Sequence, residues 1–92
     1  MTDQEPTPEE RERAERENPD EHIAYHEAMG ERYYSLMYDA SSSTRASGYY
    51  SDAKAEFAEA TRIATQAGRT DARQRLAARI EHIKAVFRSQ FR

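Results

Sequence analysis

Apolar residues recur along the chain at helical spacing, and their pattern changes character three times. From Pro8 to Glu17 every face of a helix would be polar, so a helix there has little to bury. From residue 19 a broad apolar face begins. On a wheel of about 100° per residue with Tyr33 at zero, Tyr25, Met29, Leu36, Ala40, Met37, Gly30 and Ile23 fall within about 80° on either side. Residues 49–67 place Tyr50, Ala53, Phe57, Ala60, Ala64 and Ala67 along one face, mostly small side chains that let a neighbouring helix approach closely. Residues 70–91 carry the strongest stripe, Leu76, Ile80, Ile83 and Phe87, at steps of four, three and four.

Breaks between these segments follow the proline and glycine positions. The prolines are Pro6, Pro8 and Pro19, so everything after residue 19 is free to be helical. Thr7-Pro8 and Asn18-Pro19 each read as a cap followed by a first helical residue, with Glu10 and Glu21 as capping-box partners. Gly48 and Gly68 fall where helices are expected to end, and Gly30 lies inside one. The spacing predicts an all-α fold, an up-down-up three-helix bundle with helices at about 19–42, 49–67 and 70–91, preceded by a flexible acidic arm, 1–18, that is disordered or frays. Residues 41–47, SSSTRAS, read either as a loop or as two fraying turns, with the first long helix ending between Ala40 and Thr44.

Composition limits how strongly such a fold is held. The 92 residues include fifteen alanines but only seven Ile, Leu and Val, so Tyr, Met and Phe must carry a thin core, and stability near the low end of roughly 5–15 kcal/mol is expected. A monomer or weak homodimer is the expected state. Without cysteine there is neither a disulfide framework nor a thiolate metal site. No segment resembles a secretory leader or approaches the roughly 18 apolar residues of a membrane span, and a cytoplasmic location is expected.

Charge is graded along the chain: residues 1–39 carry net −8, residues 40–68 balance, and residues 69–92 carry net +5. The acidic arm is therefore expected to lie over and shield the basic third helix.

Gly48, Tyr50, Ala53, Phe57 and Ala60 resemble the second helix of a tetratricopeptide repeat. Met29-Gly30 followed by Tyr33 and Tyr34 is similar to the first-helix signature of that family, displaced eleven residues upstream, and the closing proline is absent. The order Tyr50, Ala53, Phe57, Ala60, Leu76, Arg79, Ile83 also looks like the three-helix microtubule-interacting-and-transport domain, over residues 24–84. Both resemblances imply a scaffold that binds a peptide or helix in a groove.

The chemistry-bearing residues support three readings. Tyr34 and Tyr38 point about 100° and 140° away from the core direction of their helix, and paired exposed aromatics are what binding hot spots use. With Arg73, Arg79, Lys84 and Arg88 of the basic helix they form the expected partner-binding set of a protein-protein interaction module. The same helix supports an alternative nucleic-acid reading, although its bases flank both sides of the apolar stripe rather than forming one track. His22 and His26, one helical turn apart, give a second alternative, a two-histidine metal site. No glycine-rich phosphate loop, cysteine nucleophile or strand-borne serine is present. Neither an enzyme nor a cofactor is expected.

Overall fold

The computed structural model describes residues 7–91, and these form four helices and no strands: α1 (Pro8–Glu17), α2 (Pro19–Tyr38), α3 (Ser43–Gln66) and α4 (Thr70–Gln90). The all-α class follows the periodicity, but the number of helices exceeds the expected three. Residues 8–17 of the expected arm are helical, with their start capped by Thr7. The Thr7 hydroxyl accepts from the Glu10 amide at 3.2 Å, and Pro8 with Glu9 and Glu10 suits the positive end of the helix. Such a cap contributes about 1 kcal/mol. Residues 1–6 of the arm lie outside the described residues.

The second correction concerns residues 41–47 and Gly48. α2 stops at Tyr38, short of the expected Ala40–Thr44 window, and α3 begins at Ser43, so Gly48 lies inside a helix instead of at a break. Ser42 explains the early start: its hydroxyl accepts from the Arg45 amide at 3.1 Å, and Ala46 in the first turn is buried. The serine-rich stretch thus supplies a cap. Gly68 does end a helix, at φ +71, with the Arg69 amide donating to the Ala64 carbonyl at 2.8 Å, which is the bonding of a glycine-terminated helix.

Contacts between side chains fix how the helices run. His26 with Glu56 and Tyr33 with Tyr49 join α2 to α3 in antiparallel register. Asp20 with Arg69, Glu27 with Arg75, Glu31 with Arg79 and Tyr34 with His82 join α2 to α4, each pair separated by 48 or 49 residues. That constant offset means α4 runs parallel to α2. The core lies among the three: Ile23 from α2, Phe57, Ala60, Ile63 and Ala64 from α3, and Leu76 and Ile83 from α4.

Burial on α2 follows Ile23, Gly30 and Met37, seven residues apart, a line turned about 60° from Tyr33. Tyr25, expected on the apolar face, is 59% exposed as a result. At Gly30 the Phe57 ring of α3 lies against the backbone of α2, because a Cβ there would sit 2.6 Å from Cε2 of Phe57. Phe57 fills the space a side chain would need.

Candidate functional site

The C-terminal end of α2 and the last turns of α4 gather aromatic side chains into one cluster. Tyr34 and Tyr38, one turn apart on α2, meet edge to face with ring centroids 5.3 Å apart. Tyr38 meets Phe91 edge-on at 6.1 Å, Phe91 stacks on Phe87 at 5.8 Å, and Phe87 lies flat on Tyr50 of α3 at 3.9 Å. Lys54, one turn beyond Tyr50, places its ammonium 4.1 Å from that ring, a favourable cation–π distance. The rings therefore form a row across three helices.

Tyr34 and Tyr38 have different surroundings. Tyr34 is half-buried and packs against the core, because α4 covers that side of α2. Its phenol is pushed up to about 12, first by burial and then by the neighbouring Tyr38. Tyr38 remains 46% exposed while its ring is held by Tyr34 and Phe91. A held, exposed aromatic loses little side-chain freedom when something binds it.

A raised phenol favours the neutral form in the folded state. Its contribution to stability is complete below the unfolded value near pH 10 and is lost as pH rises through about 12. Ultraviolet titration should show a late tyrosinate phase near pH 12 that Tyr34→Phe removes and that coincides with alkaline loss of helicity. Identical titration curves for the two proteins would contradict the packing described for Tyr34.

The basic residues separate into groups. Arg79 donates to Glu31 at 2.7 and 2.6 Å and lies over the Tyr34 ring, 4.8 Å from its centroid, so it belongs to the edge of the aromatic cluster. The Glu31 carboxylate raises the pKa of Arg79 above the usual guanidinium value. Lys84 pairs with Glu81 on its own helix at 3.2 Å, and Arg88 is exposed on the last turn beside Phe87. Arg73 is exposed near the start of α4, roughly 20 Å along the helix from Phe87 at 1.5 Å per residue. The structure does not bring Arg73 to the tyrosines.

Residues 1–6 of the arm expected to shield α4 lie outside the described residues. Asp20, Glu27 and Glu31 of α2 engage Arg69, Arg75 and Arg79, while Glu15 of α1 engages Arg62 of α3. The acidic-to-basic gradient thus aligns α2 with α4. Exposed pairs contribute about 0–1 kcal/mol each, so their main effect is register. The Arg69 hydrogen bond lowers the pKa of Asp20, and that of Arg62 lowers the pKa of Glu59. Both carboxylates therefore stabilise the fold above their ordinary values of 3.8 and 4.5, and lose that effect on acidification through their folded values.

His22 and His26 are both half-buried, and Nδ1 of His26 lies 2.7 Å from Oε1 of Glu56. Among the described residues no group of three or more His, Cys, Asp or Glu comes together to hold a metal ion. His82, on α4, meets Tyr34. Among the described residues no helix is long and apolar enough to cross a membrane.

Sequence reasoning missed Tyr50, Phe87 and Phe91 as parts of the candidate site. Tyr50 and Phe87 lie on the apolar stripes of their helices and read as core, and only the packing of α3 on α4 makes them a surface continuous with Tyr38. Comparison with known proteins returns no matching family model, no matching curated protein and no matching solved structure.

Proposed function

We propose that the chain is a non-enzymatic protein-protein interaction module that binds a protein segment at the aromatic cluster, with Tyr38 and Phe91 as contact surface and Tyr34, Phe87 and Tyr50 as its support. The observation that carries this reading is the state of Tyr38, nearly half exposed yet held between two rings. Aromatic anchors with large area and few rotatable bonds dominate many interfaces. The segment that fits presents an apolar side chain to Tyr38 and Phe91.

The antiparallel α2–α3 hairpin is read as a scaffold in the manner that the tetratricopeptide-like spacing implies. Ion pairing within the molecule favours this reading over the nucleic-acid alternative. Arg69, Arg75 and Arg79 are already matched to carboxylates, whereas a phosphate-binding face gains affinity from bases free to release counterions.

Tyr38→Ala combined with Tyr34→Phe should reduce capture of the cognate protein from native cells at least tenfold, the scale of a hot-spot residue, with circular dichroism unchanged. Arg73→Ala, remote from the cluster, should leave capture as it was. Undiminished capture by the tyrosine variant would remove this surface from the proposal.

A further inference from the structure

Tyr25 and Tyr38 are the two large apolar side chains left exposed among the described residues, and the aromatic cluster takes up only Tyr38. Tyr25 lies nine residues before Tyr34, about 180° around α2, so it faces away from the side that α4 covers. It is 59% exposed, yet its ring is braced. It meets His26 edge to face at 5.1 Å, and Nδ1 of His26 lies 2.7 Å from Oε1 of Glu56 on α3. An open hollow of about 410 Å³, lined by Glu21, His22, Tyr25 and His26, adjoins that ring.

The residues around Tyr25 carry unused charge of both signs. Glu21, Tyr25, Ala28, Met29 and Arg32 fall within about 50° of one direction on the wheel of α2. Glu21, Ala28 and Arg32 are exposed and Met29 is half-buried. Neither Glu21 nor Arg32 has an ion pair or side-chain hydrogen bond among the described residues, whereas Asp20, Glu27 and Glu31 on the other side of the same helix all engage arginines. Glu21 and Arg32, like Tyr25 and Ala28 between them, are placed symmetrically about a point between His26 and Glu27.

Such a face is complementary to itself when reversed. We propose that two copies of the chain pair through it, with α2 of one antiparallel to α2 of the other across a two-fold axis opposite His26 and Glu27. In that register Glu21 faces Arg32 of the second copy and Tyr25 faces its Ala28, each contact occurring twice, as an isologous interface requires. The small Ala28 lets the helices approach, and Met29 of each copy reaches the hollow beside Tyr25 of the other, a gap that a flexible thioether fills well. Parallel pairing would set Glu21 against Glu21 and Arg32 against Arg32. A contact of about four helical turns lies at the small, transient end of specific interfaces, so the dimer is weak and charge fixes its register. This face is on the opposite side of α2 from Tyr34, and the inference stands or falls independently of the aromatic cluster.

Sedimentation equilibrium of the full chain between about 10 μM and 1 mM covers the weak range of protein affinities, and circular dichroism checks that each variant is folded. The unaltered chain should dimerise within that range. Glu21→Arg and Arg32→Glu should each weaken dimerisation about tenfold, because each replaces two ion pairs with two like-charge contacts, and Tyr25→Ala should weaken it similarly. An equimolar mixture of the Glu21→Arg and Arg32→Glu chains should recover the dimer, since every contact between unlike chains again joins an acid to a base. Tyr38→Ala should leave dimerisation as it was. Absence of self-association by the unaltered chain up to about 1 mM would overturn the inference and leave the face to a different partner. So would undiminished association of either charge variant, a mixture that associates no better than its components, or loss of the dimer in Tyr38→Ala.

Discussion

Phe57→Ala is expected to lower stability by about 3–5 kcal/mol, the usual cost of removing a buried aromatic ring. Phe57 heads the largest fully buried side chains, with Met37, Leu76 and Ile83 after it, and its ring lies against α2 at Gly30. Collapse cannot refill the space well. Its core neighbours along α3 are Ala53, Ala60 and Ala64, which are too short to swing into it, and the facing position on α2 is a glycine. For a domain whose total stability is near the low end of roughly 5–15 kcal/mol, the loss should leave the variant partly unfolded at room temperature. Urea denaturation with a shared slope checks this, and a loss under about 1.5 kcal/mol would mean that the core relaxes around the void.

Gly30→Ala is expected to destabilise the fold by about 1–3 kcal/mol, although alanine is the better helix former by about 1 kcal/mol. The added methyl would lie 2.6 Å from Cε2 and 2.8 Å from Cδ2 and Cζ of Phe57, against about 3.5–4.0 Å for carbon atoms in favourable contact. Three atoms of one enclosed ring would have to move together, so overpacking outweighs propensity. Gly48→Ala is the internal control, because nothing lies within 4 Å of a Cβ there and the residue is an exposed interior position of α3. That substitution should stabilise by about 0.5–1 kcal/mol. Thermal melts of the two single variants should therefore shift in opposite directions, and Phe57→Leu should cost less in the Gly30→Ala background than alone. Shifts of the same sign would refute the close approach at Gly30.

These two positions also show how far the sequence could be read. The periodicity identified the buried faces of α3 and α4 correctly at Ala53, Phe57, Ala60, Leu76 and Ile83, because burial in a helical pair follows the 3.6-residue repeat. It could not say that Gly30 faces Phe57 across the interface, since the register between helices is set by long-range packing. Local cap chemistry was legible at Thr7 but not at Ser42, where the run of serines reads as a loop or as two fraying turns, and the Ser42 cap and the burial of Ala46 emerge only with the packing of α3. α1 depends in part on Glu15 meeting Arg62, 47 residues away. The charge gradient was plain in the sequence, whereas its use in aligning α2 with α4 depends on three pairs of constant offset.

The candidate site was half legible. Tyr34 and Tyr38 stand out on a helical wheel because they depart from the core direction, but a wheel cannot show that α4 would cover the first and leave the second exposed. Phe87, near the end of α4, read as the last residue of the core stripe, and Phe91 lies beyond that stripe. Their stack beside Tyr38 comes from where that helix ends, which pattern alone fixes least well.

Whether another protein binds at Tyr38, as proposed, is tested most directly by photo-cross-linking in native cells. A benzophenone side chain replaces Tyr38 in one protein and the exposed Gln74 on α4 in a control. A discrete protein adduct is expected from position 38, absent from position 74 and diminished when Phe91→Ala is added. No adduct at position 38, or the same adduct from both positions, would contradict it.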